Sequence, residues 1–210
     1  MIEFISPLAG AFFGALAAFL SEALRRKREE KEKRYEAILS TQAALLSQAN
    51  SMLSIHQQIE AAPATNPFEN LKHMLLRFSQ QTVDFHKLTF LASSSAPYLL
   101  LDIEVAQESF RFAVDMIDLR NKLLDKFFDD PRTEIKEFSS STGQIRASGD
   151  PRLTMNLRMA NEGAFKAILH AQKSNKHTRD CFYAFAKKKY PKKKLLFVAE
   201  EARPTQLRNR

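Results

Sequence analysis

The chain has 210 residues, enough for one domain with an appendage, and its 44% hydrophobic and 27% charged content supports a packed core and excludes wholesale disorder. Five Gly and eight Pro are too few for a turn-rich all-β fold, and with a single Cys neither an internal disulfide framework nor a Cys-based zinc site is expected. The formal net charge of +8 hints at nucleic acid, but it is local: residues 25–34 carry net +4 and residues 187–194 net +6, leaving the remainder slightly acidic.

The first element is apolar. Residues 4–20 hold no charge and lie between Glu3 and Glu22. As a helix to Ser21 the stretch measures about 27 Å at roughly 1.5 Å per residue, close to the ~30 Å hydrocarbon core of a bilayer. A basic stretch follows it and none precedes it, the reverse of a signal peptide, and it lacks the polar face of a buried soluble helix. Residues 1–24 therefore read as a transmembrane anchor. Arg25, Arg26, Lys27 and Arg28 then place the N-terminus outside and the bulk of the chain in the cytoplasm, at the inner membrane of a bacterium. Gly10 and Gly14 form a GxxxG, continued by Ala17, Ala18 and Ser21, a stripe that suits close helix–helix approach in lipid.

Residues 25–34 are too charged to bury and read as a juxtamembrane stalk. From Tyr35 an apolar stripe recurs every seven residues at Ile38, Leu45, Met52 and Ile59. Ala-Ala-Pro-Ala-Thr-Asn-Pro is a linker, with Asn66 and Pro67 as the start of a second helix to about Leu91, carrying Leu71, Met74, Phe78, Phe85 and Leu88 inward. A Ser-rich break and Pro97 open a third helix to about Phe128. Its stripe, Leu99, Ile103, Ala106, Phe110, Ala113, Ile117, Arg120, Leu124 and Phe127, alternates steps of four and three as in bundles and coiled coils. Residues 129–152 read as a loop. A fourth helix runs from about Arg152 to Lys189 with Leu153, Leu157, Ala164, Ile168, Ala171, Phe182 and Phe185 inward and a polar middle from Gln172 to Thr178. Residues 190–210 form a basic tail.

The expected fold is all-α: an N-terminal transmembrane helix continuing into an antiparallel up-down four-helix bundle at 35–189. In that topology Lys187, Lys188, Lys189, Lys192, Lys193 and Lys194 return to the membrane face beside Arg25–Arg28, where each contributes about 1 kcal/mol against anionic lipid. Nucleic acid is disfavoured, because Tyr190 alone accompanies the Lys cluster as a stacking platform.

Motifs for chemistry are scarce. The sequence contains no P-loop, Rossmann glycine pattern, GxSxG or HExxH. No Glu stands three residues before any of His56, His73, His86, His170 or His177, as a di-iron bundle requires. Cys181 reads as a buried, inert thiol. No catalytic residue, metal site or cofactor is expected. Arg120, with Asn121, is the unusual feature: an Arg on a bundle stripe must find a carboxylate or reach solvent, and Glu60, Glu69 and Glu162 are candidate partners. A ligand or partner contact is the other reading.

At Phe85-His-Lys-Leu-Thr-Phe-Leu, Pro97-Tyr-Leu-Leu-Leu-Asp-Ile, Ile117-Asp-Leu-Arg-Asn and Tyr190-Pro-Lys-Lys, the chain resembles a loose group of bacterial membrane proteins with one N-terminal span and a helical cytoplasmic domain. The resemblance implies architecture, not an activity. The expected function is a non-enzymatic, single-span, membrane-anchored scaffold that self-associates and presents its bundle to a cytoplasmic protein partner. The alternative is a membrane-perturbing effector of a toxin or phage-defence system, with the bundle as sensor or oligomerisation domain.

Overall fold

The computed structural model describes residues 5–60, 72–75, 82–139 and 144–196, with side chains omitted at 5–11, 60 and 135–147. Three long helices dominate them: α1 (Ile5–Glu60), α2 (Tyr98–Asp129) and α3 (Pro151–Lys189). A 3-10 helix (Phe85–Leu91) precedes α2, and an antiparallel hairpin of β1 (Glu134–Ser139) and β2 (Gln144–Ser148) joins α2 to α3.

α3 packs against both α1 and α2, more extensively against α2. It runs antiparallel to each. Asn175 Nδ2 donates to the Leu45 carbonyl, while the C-terminal Tyr190 reaches back to Tyr35 at 5.5 Å between ring centroids. On the other side Thr178 Oγ1 donates to the Asp102 carbonyl and Arg120 meets Asn161. α1 and α2 therefore point the same way, bridged by Gln48 and Gln107 at 2.9 Å.

The core follows the sequence periodicity closely. Ile38, Leu45, Met52 and Ile59 of α1 are buried, as is every member of the α2 stripe, Arg120 included. One cluster, around Leu45, Leu91, Leu99, Ile103 and Phe182, fills the end nearer the C-terminus of α3. A second, around Met52, Ile55, Phe110, Ile117 and Ile168, fills the middle, and Leu124, Phe127 and Leu157 close the far end. Each such side chain contributes about 1.5–3 kcal/mol when taken fully out of water. On α3, Leu157, Ala164, Ile168, Ala171 and Phe182 are buried, whereas Leu153 and Phe185 are half-buried. The polar middle of α3 is not a protrusion. Asn175 and Thr178 are buried and bonded to α1 and α2, and Gln172 Nε2 donates to the Met52 carbonyl at 3.2 Å.

Two expectations need correction. The long second helix is absent where residues are described: 72–75 and 82–84 are not helical, and 85–91 is a 3-10 helix. Asn66, Pro67, Leu71 and Phe78 lie outside the described residues. The reason is that side-chain amides replace the helical backbone partners. Asn121 accepts from the Met74 N–H at 3.1 Å and donates to its carbonyl at 3.0 Å. Gln58 does the same for Leu75, at 3.2 and 3.0 Å. Gln107 Oε1 accepts from the Val83 N–H at 3.0 Å. Met74 and Leu88 are nevertheless buried, so the segment's apolar residues reach the core without a long helix. Among the described residues the bundle is thus built on three long helices, and residues 72–75 and 82–84, between α1 and α2, are not helical.

The 129–152 loop holds the hairpin, whose register slips between Ile135 and Glu137. Asp150 ends it by capping α3: its carboxylate accepts from the N–H groups of Arg152 and Leu153, with Pro151 in the first turn. At Gly149 an added Cβ would stand 2.7 Å from Thr133 Oγ1 and 2.9 Å from the Phe127 ring. Only glycine lets the returning strand approach the end of α2 so closely.

No helix among the described residues is long and apolar enough to cross a membrane. From Phe12, the first described side chain, the uncharged run extends only to Ser21.

Candidate functional site

α1 does not start in the bundle. Among its described side chains the first buried one is Ala37, and from Phe12 to Lys33 every residue except Glu22 is exposed. These 22 residues project about 33 Å at 1.5 Å per residue. Their chemistry is two-sided. At 100° per residue, Phe12, Phe13, Leu16, Phe19, Leu20 and Leu24 fall on one face, and Gly14, Ala17, Ala18 and Ser21 on the opposite one. Phe19 is 70% exposed and Phe12 and Phe13 66% each. Gly14 is open: a Cβ there would meet nothing within 4 Å. Ser21 satisfies its own hydroxyl by donating to the Ala18 carbonyl at 2.9 Å. Gly10 lies where side chains are not described.

The basic residues form two groups that the fold brings to one end. Arg25, Arg26, Lys27 and Arg28 are exposed on the projecting helix, with Arg25 and Arg26 both bonded to Glu22. Beyond the C-terminus of α3, the chain turns onto α1. Tyr190 is buried against Tyr35, and its hydroxyl reaches the Lys31 carbonyl at 3.5 Å. Tyr35 Oη donates to the Lys194 carbonyl, and the Leu196 N–H donates to Gln42. Lys193 pairs with Glu32 at 2.9 Å and lies 4.8 Å over the Tyr35 ring. Burial pushes the Tyr190 hydroxyl's pKa up, and Glu32 raises that of Lys193. Residues 190–196 are therefore a clasp on α1. Lys193 is engaged in it, while Lys187, Lys188, Lys189, Lys192 and Lys194 are exposed within a few turns of Arg28.

Arg120 and Asn121 belong to the interior. Arg120 is 0% exposed; its Nε donates to Asn161 Oδ1 at 2.6 Å and its Nη1 to Asn121 Oδ1 at 2.9 Å. Burial lowers the guanidinium's pKa to about 10, with the Asp125 charge opposing, so it stays charged at neutral pH. Of the carboxylates expected to hold it, Glu162 pairs with Lys166 at 2.5 Å, the Glu60 side chain is not described, and Glu69 lies outside the described residues. Asn121, singled out with Arg120 in the sequence, serves both Arg120 and the Met74 backbone through its one amide.

The histidines are dispersed. His56 meets Gln172 at 3.2 Å and the edge of Phe165, and His73 pairs with Asp125 at 2.8 Å. His177 is different. On α3, one turn before Cys181, its Nε2 lies 3.8 Å from the thiol sulfur. Among the described residues, Asp102, His177 and Cys181 bring one potential ligand atom each within 4.8 Å of one another. Cys181 is half-buried rather than enclosed. His177–Cys181 spacing is visible in the sequence; Asp102, from α2, is not.

A comparison with known protein families, curated proteins and solved structures finds no match for the chain.

Proposed function

We propose that the chain is a non-enzymatic, membrane-anchored helical scaffold that self-associates and holds its bundle at the inner membrane face. The carrying observation is the projecting part of α1, where six large apolar side chains stand clear of the bundle. Leaving a Phe or Leu in water forfeits about 1.5–3 kcal/mol each relative to burial. A lipid phase removes that penalty for the large face, and a second α1 suits the small face of Gly14, Ala17, Ala18 and Ser21. The uncharged run of α1 that ends at Ser21 is then the part that enters lipid. Exposed Arg and Lys residues cluster at the same end of the bundle, as anionic headgroups favour.

Self-association has a second support on the outer face of α2. Tyr98, Val105, Phe112 and Leu119 are exposed and recur every seven residues, with Leu101 beside them. Such a stripe, flanked by charges of both signs at Glu104, Glu108, Arg111, Asp115 and Lys122, suits pairing with the same stripe of a second copy.

The test is the mass of the full chain extracted from membranes in mild detergent. A multimer that becomes monomeric in Phe112→Glu/Leu119→Glu, with circular dichroism unchanged, is the expected result. A monomeric wild type contradicts the scaffold. Growth arrest with dye entry on induction, abolished by Gly10→Leu/Gly14→Leu, would replace it with a membrane-perturbing effector.

A further inference from the structure

We propose that Asp102, His177 and Cys181 form a three-ligand site for a zinc-class divalent cation that ties α2 to α3. His177 and Cys181 are four residues apart on α3, so both project from one face a single turn apart. The third ligand comes from the start of α2. Its position does not depend on a metal: Thr178, adjacent to His177, donates its hydroxyl to the Asp102 main-chain carbonyl at 3.0 Å and pins the two helices together at this level. The two contacts approach Asp102 independently, one through its backbone and one through its carboxylate.

The sulfur–nitrogen separation is near that of a tetrahedral ion. With metal–sulfur near 2.3 Å and metal–nitrogen near 2.0 Å, sulfur and nitrogen stand about 3.5 Å apart. The 3.8 Å separation here closes with a shift of a few tenths of an ångström. Thiolate, imidazole and carboxylate together suit zinc or its softer first-row neighbours, and not magnesium or calcium, which take oxygen ligands alone. On binding, the Cys181 S–H bond breaks, the sulfur donates its pair to the metal, and the proton passes to solvent; His177 binds as neutral imidazole. Three protein ligands leave a fourth position, and exposed His177 gives it access to water or to a side chain from another molecule. A nucleophilic role for Cys181 is less well served. It lies mid-helix, where backbone N–H groups are committed to the helical ladder and cannot stabilise an oxyanion.

The experiment uses the full chain in detergent, stripped with a chelator and titrated with Co²⁺ as a spectroscopic probe, then with Zn²⁺. The expected result is one equivalent of Co²⁺ with a thiolate-to-metal charge-transfer band, bleached by one equivalent of Zn²⁺. Cys181→Ser should lose the band, and His177→Gln and Asp102→Asn should each weaken binding at least about tenfold. Zinc should raise the melting temperature of the wild type and not of Cys181→Ser. A wild type without the band at saturating cobalt overturns the site. So does binding that survives unchanged in His177→Gln and Asp102→Asn, which would mean a solitary thiol.

Discussion

Arg120 of α2 donates through Nε to Asn161 of α3 at 2.6 Å, with both residues buried at 0% and 2% exposure. A charge held this way is expensive to abandon, because removing its partner leaves the guanidinium without the bond and without water. Asn161→Leu is expected to cost about 2–3 kcal/mol, a fall of about 5–10 °C in thermal unfolding at this chain length. Asn161→Asp, which supplies an anionic acceptor of the same shape, should recover most of the loss. Equal melting of the wild type and Asn161→Leu would show that the bond carries no stability.

Asn121 holds a piece of chain rather than a helix face. Its amide completes both backbone groups of Met74 as a neighbouring strand would. Asn121→Asp keeps the size but loses the N–H donor to the Met74 carbonyl. It should cost about 1–3 kcal/mol and speed hydrogen exchange at the Met74 and Leu75 amides well before the α2 and α3 cores open. Unchanged exchange at both amides would place the hold on this segment elsewhere.

These two asparagines also mark where sequence periodicity stops being informative. The seven-residue stripe of α1 and the α2 stripe were legible because their partners are four or three residues away on the same helix, and burial follows that spacing even through Arg120. Helical spacing of Leu71, Met74 and Phe78 suggested another helix, yet residues 72–75 are set by Gln58 and Asn121, each 17 or more residues distant. The hairpin is hard to read from the sequence because Ser, Gly and Pro there signal turns, although Ile135 and Phe138, then Ile145 and Ala147, mark short strand-like runs on either side. Two of the three ligands of the candidate metal site, His177 and Cys181, stand four residues apart in the sequence. Asp102 joins them only through the antiparallel packing of α2 on α3.

Two glycines separate tight from tolerant positions. At Gly149 a new methyl would strike the Phe127 ring and the short Thr133 side chain, which already donates to the Phe127 carbonyl at 2.5 Å. Gly149→Ala should therefore cost about 1–3 kcal/mol. At Gly163 the close atom is the terminal methyl of Met116, which can swing aside. Gly163→Ala should be near neutral, since alanine regains about 0.5–1 kcal/mol of helix propensity. Thermal unfolding of the two variants in parallel decides it, and a reversed order would contradict the packing described at Gly149.

The hairpin junction should be acid-labile. Arg132 holds the Asp130 carboxyl down to about 2, and the Leu153 and Arg152 N–H groups hold that of Asp150 below its ordinary value. Because both folded values lie under the unfolded value of about 3.9, their contribution is complete above that pH and is lost as pH falls through the folded values. Hydrogen-exchange protection in the hairpin, taken relative to the intrinsic rate at each pH, should fall between about pH 4 and pH 2 in the wild type. In Asp130→Asn/Asp150→Asn that fall should be flattened, and an identical acid limb in both chains would contradict it.

The large apolar side chains of projecting α1, set opposite its small ones, are the feature on which the membrane-anchored reading depends most. Alkaline carbonate extraction of membranes from cells expressing the full chain tests it directly, with a chain lacking residues 2–21 in parallel. The account predicts that the full chain stays in the membrane pellet while the shortened chain, with its bundle intact, appears in the supernatant. Release of the full chain by carbonate would contradict it.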